Sequence, residues 1–360
     1  MIKILPTIGI LFATSLSLWG NSSKECTQCH ASIVKEWETS AHAMAHSSKN
    51  ELYAKMVVGA AKTNGVEPAK IMENCNLCHA PAEDIAVKEE GVTCVACHKI
   101  DAIEHQNKSK PPIGMNTIRW MKENVMAGPS GKGNSPYHGI VKRPFMEATS
   151  DTLCLACHNV MKNKQDVTVC NTGDEHRRGT TQKTCIECHM GEAKIGLVSS
   201  LSTSKKMMRS HGFHGARNSD ILIKAVDLKL AKTKGELSVK LTNLSSHNFP
   251  TGTGVRIATV VSEFYKGDTK IFTQTEKLEV IFAAADGNIT LPPMASKEMS
   301  DTRLKSNETR VISTAIPKGA TKAIVTVNYR LAKEQIVEKF QLRDERFKKV
   351  HLVVSKSIKL

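Results

Sequence analysis

Aromatic side chains are scarce in this chain: tryptophan, tyrosine and phenylalanine together supply 4% of its 360 residues. So low a content fits an interior filled partly by some other large planar group. Beyond the N-terminus no stretch is long and apolar enough to span a bilayer, which excludes a protein built of several membrane helices. Lysine and arginine are abundant, giving a formal charge of +15, yet they form no compact basic block of the kind that marks a nucleic-acid patch. Unpaired cysteine is nearly absent as well, with Cys170 the single exception.

At this length, with 40% apolar residues, the chain has room for two domains and at least one packed core. Residues 1–20 open with Lys3, run through a mostly apolar stretch from Ile4 to Trp19, and are followed by Asn21 and Ser22. This is the pattern of a secretory signal peptide, and it implies export to the periplasm. An uncleaved membrane anchor is the competing reading, disfavoured because the run is short. Cys26 lacks a lipobox before it.

Ten of the eleven cysteines fall into five copies of C-x-x-C-H: Cys26/Cys29/His30, Cys75/Cys78/His79, Cys94/Cys97/His98, Cys154/Cys157/His158 and Cys185/Cys188/His189. This is the attachment signal for haem c. Two thiols bond one edge of the porphyrin, and the adjoining histidine is then held where it meets the iron. Composition alone would give about 0.01 copies. Zinc ribbons and disulfides also use paired cysteines, but neither needs a histidine after every pair. Five haem c groups are therefore expected, and their propionates offset most of the basic charge. Cys170 reads as a buried or weakly reactive thiol.

Each haem iron has a second axial position, filled by another ligand or left open for chemistry. Nine histidines lie outside the motifs. Residues 32–46 have helical spacing, placing His42 and His46 four apart on one face, where one of them would serve as a ligand. The Gly/Ser/Pro-rich stretch 128–138 delivers His138 on a loop, and at least one of His211 and His214 should ligate after the last motif. His247 sits on a Pro/Gly-rich turn, read as haem-facing. His105 completes the candidate set, though it, His176 and His351 read more readily as solvated histidines. Met44 and Met190 are the methionine candidates.

The motif starts are 49, 19, 60 and 31 residues apart, so no repeat organises them. The nearness of Cys75 to Cys94 suggests two haems side by side. Residues 21–217 therefore read as a helical and irregular five-haem domain whose cofactors form the core. From 218 to 360 the pattern changes to period two, as in Leu237/Val239/Leu241 and Ala323/Val325/Val327/Tyr329. Turn signals at Lys234-Gly235, Asp286-Gly287 and Lys318-Gly319 separate the strands, so an all-β, immunoglobulin-like sandwich is expected.

The segments CTQCH, WETSAHAMAH, GVTCVACHKI, TCIECHM, RSHGFHG and HNFPTG together resemble the multihaem cytochromes of the c-552/c-554 family. The resemblance implies His42, His138 and His211 as distal ligands. It also implies an electron carrier exchanging electrons with protein partners, a membrane quinol dehydrogenase or a terminal reductase, with any membrane association through a partner or the N-terminus. Some relatives act on nitrite, hydroxylamine or sulfite, which supplies the alternative of an oxidoreductase with one open haem. The chain has no C-x-x-C-K motif and no tyrosine-rich stretch, departing from the nitrite reductases and hydroxylamine oxidoreductases respectively. A β domain acting as a joint in extracellular haem chains is a third reading.

Overall fold

The computed structural model describes residues 22–81, 85–104, 114–133 and 135–360. The N-terminal segment read as a signal peptide and His105 lie outside them.

The first half is built from helices and short ribbons. Three helices open it: α1 (Ser23–Glu38), α2 (Glu51–Asn64) and α3 (Pro68–His79). Ser22 caps α1 by accepting from the Lys24 amide, Asn50 caps α2 through Tyr53, and Pro68 starts α3 at a position that needs no donor. Four single-turn or two-turn helices follow: α4 (Val95–His98), α5 (Thr152–Leu155), α6 (Thr172–Arg178) and α7 (Cys185–His189). Between them run four two-stranded ribbons: β1 (Ile100–Ile103) with β2 (Ile118–Trp120), β3 (Val125–Gly128) with β4 (Gly139–Lys142), β5 (Val160–Lys162) with β6 (Thr168–Asn171), and β7 (Lys194–Leu197) with β8 (Lys205–Met208).

The helical spacing through His46 does not persist. α1 stops at Glu38, because the Thr39 hydroxyl turns back to the Glu36 carbonyl and the Ser40 hydroxyl accepts from the Ala43 amide. Such side-chain bonds compete with helix continuation. His42 and His46 therefore do not share a helix face.

The second half is mainly β rather than all-β, with three short helices at Ser219–Leu222, Glu334–Lys339 and Glu345–Lys348 beside its sheets. One sheet holds β9 (Val226–Thr233), β10 (Glu236–Asn243) and β16 (Thr309–Ala315) in the order β16-β10-β9. The other holds β11 (Ile257–Lys266), β12 (Thr269–Leu278), β17 (Lys322–Arg330) and β18 (His351–Lys359) in the order β12-β11-β17-β18. A smaller sheet of β13 (Val280–Ala283), β14 (Ile289–Thr290) and β15 (Lys297–Asp301) flanks them. Every pairing within these three sheets is antiparallel. Leu237, Val239 and Leu241 from one sheet and Ala323, Val325 and Val327 from the other are fully buried in one cluster, so the alternating residues face each other across a sandwich core. The β9–β10 hairpin turns through Lys234 and Gly235, both at positive φ, which matches the strand twist.

Phe264 has no exposed surface and its ring centre lies 5.9 Å from that of Phe272. Phe264→Ala should lower stability by about 3–5 kcal/mol. Denaturant titration would detect it as an earlier midpoint with an unchanged slope.

The two halves are joined by packing. Leu52 of α2 belongs to the sandwich cluster, with Met56 and Met294 against it, and the Glu51 carboxylate accepts from the Arg343 and Asp344 amides. Among the described residues no helix is long and apolar enough to cross a membrane.

Candidate functional site: paired histidines around the C-x-x-C-H motifs

The five motifs sit at helix ends or single turns, which present their histidines inward. Motif one lies within α1, where the backbone at His30 leaves the helical region. Motif two ends α3, motif three forms α4, motif four begins in α5, and motif five is α7, started by a capping box between Thr184 and Glu187.

Four of the five motif histidines face a second imidazole from a distant part of the chain. The ring centres are 6.3 Å apart for His30 and His138, 6.2 Å for His98 and His211, 6.1 Å for His158 and His42, and 6.2 Å for His189 and His247. A metal–imidazole bond is about 2.0 Å, and the ring centre lies about 1.1 Å behind the ligating nitrogen, so two imidazoles on opposite sides of one iron have centres about 6.2 Å apart. These separations fit an iron between each pair.

The hydrogen bonds set the tautomers. Nδ1 of His30 donates to the Val198 carbonyl at 2.6 Å, that of His98 to Ala127 at 2.8 Å, that of His79 to Ala45 at 3.0 Å, and that of His189 to His214 at 2.5 Å. The facing rings do the same: His138 donates to the Gly139 carbonyl, His211 to Arg209 and His247 to Asn248. A proton held on Nδ1 leaves Nε2 with a free lone pair, as a metal ligand requires. Burial reinforces this by disfavouring the charged ring: His42 is pushed down to about 3, and His98, His158 and His247 to about 4. Gly91, at φ +87, passes so close beneath His42 that a Cβ there would lie 2.4 Å from the His42 carbonyl oxygen. The donor set, its spacing and its protonation all fit haem c.

His79 differs from the other motif histidines. Its ring stacks on Tyr53 at 4.4 Å, too close for a porphyrin between them, and among the described residues no imidazole faces it at the iron-bracketing distance. The Tyr53 hydroxyl donates to Asn76 Oδ1 at 3.1 Å, fixing the ring against that side of the motif.

The other candidates are placed elsewhere. His46 is buried with Nδ1 2.9 Å from the Ser48 hydroxyl. Both ring nitrogens of His214 are engaged, with Ser210 and Asn218, while its carbonyl holds His189, so it orients a motif histidine through its backbone. Two guanidinium groups, Arg217 and Arg346, point at the Met44 sulfur, which is thereby occupied. His351 lies on β18, away from the pairs.

His176, read as a solvated histidine, is a bridge instead: Nε2 meets Asp151 Oδ2 at 2.9 Å and Nδ1 meets the Ser246 hydroxyl at 2.7 Å. Asp151 Oδ1 in turn accepts from the Cys185 amide at 2.7 Å. One chain of hydrogen bonds thus links motif five to the loop carrying His247. That loop is also held by Glu175, 1% exposed, which accepts from the Asn248 amide, the Thr251 hydroxyl and Arg303. Lone polar residues whose partners lie 25 to 128 positions away leave no local signature.

Thiol contacts give the spatial order of the motifs. Cys26 lies within hydrogen-bonding reach of Cys94, Cys78 of Cys157, and Cys154 of Cys185, while Cys97 neighbours Cys154. The series runs one–three–four–five, with two joined to four. Motif two thus adjoins motif four rather than its sequence neighbour, because the residues after α3 carry the chain back to α1 before motif three begins.

Residues 25–99, spanning the first three motifs, match the family model described as cytochrome c554 and c-prime. That segment is similar to the family, and four of the five attachment motifs in the whole chain face a second imidazole. The chain's fold is similar to that of a penta-heme cytochrome c552 from Thermochromatium tepidum, with a TM-score of 0.77 at 22% identity, over 94% of this chain and 98% of the other. No curated protein sequence matches the chain.

Proposed function

We propose that the protein is a five-haem electron carrier of the periplasm, passing single electrons between a membrane quinol dehydrogenase and a terminal reductase. The observation that carries this reading is the set of four imidazole pairs at 6.1–6.3 Å, each with the geometry of a filled axial site. Haem c supplies a one-electron Fe(III)/Fe(II) couple when bound. The chain's own residues do the rest. The ten motif cysteines would tether the groups, and His30, His79, His98, His158 and His189 would hold the irons, with His138, His211, His42 and His247 as the second ligands at motifs one, three, four and five. The backbone carbonyls that take the Nδ1 protons of His30, His79, His98, His138, His189, His211 and His247 keep those rings fixed, so little reorganises when charge moves. The cysteines of neighbouring motifs lie close together, which would set the groups near enough for electrons to pass along the series one–three–four–five.

A second reading has one specific support: His79 stacks on a tyrosine and faces no second imidazole among the described residues. Motif two could then hold an iron with an open face for a small nitrogen or sulfur compound such as nitrite, hydroxylamine or sulfite.

Electron paramagnetic resonance of the oxidised holoprotein, followed by carbon monoxide addition to the reduced form, separates the two. Low-spin signals alone and no carbon monoxide shift are expected of a pure carrier. One high-spin signal with a shift, lost together with one haem equivalent in Cys75→Ala with Cys78→Ala, would place an open iron at motif two.

A further inference from the structure

We infer that the β7–β8 ribbon, with the loop that closes it, is the docking surface for an acidic redox protein that exchanges electrons through motif one; this rests on the haem reading of that motif. The ribbon is tied to the motif by two backbone bonds: the Val198 carbonyl takes the His30 Nδ1 proton, and the Ser200 amide donates to the Cys29 carbonyl at 2.8 Å. Whatever binds the ribbon therefore sits against the first attachment site, which is the free end of the series one–three–four–five.

The surface itself is unusual for solvent. Ile195 and Met207 are cross-strand partners, 72% and 63% exposed, with Leu197 on the same face and Leu201, 66% exposed, in the closing loop. Tyr137, beside the facing histidine of the same motif, is 65% exposed. Single exposed apolar residues are ordinary, but a cluster on one small ribbon marks an interaction surface. Its charges identify the partner. Lys194 and Lys205 are exposed on the two strands, Lys206 reaches across to the Lys132 carbonyl, and among the described residues no carboxylate pairs with Lys194, Lys205 or Lys206. Lys205 borders the apolar face beside Leu197, while Lys194 and Lys206 lie on the ribbon's other face, and this basic margin suits a partner with a carboxylate-rich rim, which would be steered in by charge and released quickly. A second copy of this chain, carrying the same +15, is the poorer match.

The test is stopped-flow reduction of the full holoprotein by reduced flavodoxin, an acidic one-electron donor, beside photoreduced deazaflavin, a small neutral one. Lys194→Glu with Lys205→Glu should slow the flavodoxin reaction at low ionic strength by about ten-fold or more and flatten its decline with salt. Ile195→Asp should slow it at high salt too, while deazaflavin rates and haem absorbance stay unchanged. A matched control, Lys356→Glu with Lys359→Glu on β18, should change the rate less than about two-fold. Equal losses in the control, or none in the ribbon variants, would overturn the proposal. So would a sedimenting dimer that Ile195→Asp dissolves, or lysine-dependent binding to phosphatidylserine vesicles with an unaltered flavodoxin rate. Failure of the haem reading looks different: haem absorbance short of five equivalents in the unmutated protein.

Discussion

His247→Ala is expected to open one iron site without disturbing the others. His247 is the facing ring of His189, and it is supplied by a β-domain turn rather than by the motif region. It is half-buried, and that burial holds it neutral down to about pH 4, so its ring keeps a free lone pair at working pH. Removing the imidazole leaves a cavity roughly the size of the ring and a five-ligand iron at motif five. The oxidised spectrum should gain one high-spin signal, one equivalent of the reduced protein should bind carbon monoxide, and the other low-spin signals should keep their positions. A spectrum identical to that of the unmutated protein would remove His247 from the ligand set. Neighbouring Asn248→Ala keeps the ring and serves as the control, since its backbone carbonyl still accepts from His247.

The second large effect concerns the carboxylate that holds that turn. Glu175 is 1% exposed and its partner Arg303 presents 12% of its side chain, so the pair is nearly dry. Removing one member of a buried ion pair strands the other, and Glu175→Ala should cost about 3–5 kcal/mol. Asp301 also contacts Arg303 and offsets part of that charge, which places the expected value toward the lower end. The Asn248 amide and the Thr251 hydroxyl lose their acceptor at the same stroke. Calorimetry should show a fall in Tm on the order of 5–10 °C. Because the damage falls beside His247, a fraction of the high-spin signal described above should appear with it. Glu175→Gln keeps a carbonyl acceptor for Thr251 and should fall between. A Tm unchanged within a degree would mean that the clamp contributes nothing to holding the halves together.

Much of this arrangement was legible in the residues, for physical reasons that differ from place to place. The attachment motifs are local, because two thiols and one imidazole must lie within five positions to grip one porphyrin edge. The sandwich strands are local as well, since burial on one face of a pleat writes itself as alternation, visible from Leu237 to Leu241. The facing imidazoles are not local. His138 and His211 stand in short conspicuous segments, but nothing near His42 says that it faces His158 rather than another motif. Pairing depends on how α1 ends, and α1 ends at Glu38 because two hydroxyls compete for its backbone, a balance that helical periodicity does not register. The order of the motifs failed to follow sequence spacing because the residues after α3 return to α1, where Glu90 and Val92 bond Ser22, Ser23 and Trp37. His176 and Glu175 carried no signal, because their partners Asp151, Ser246 and Arg303 are joined to them only by the finished fold.

The ring pairs also set a timetable. His30 must wait for His138, His98 for His211, and His189 for a turn inside the β domain, while His42 emerges long before its partner His158. Each early motif histidine is therefore made well before the imidazole that faces it, and the pairs form by long-range folding rather than motif by motif. The pair at motif five waits until the strands on both sides of His247 have closed.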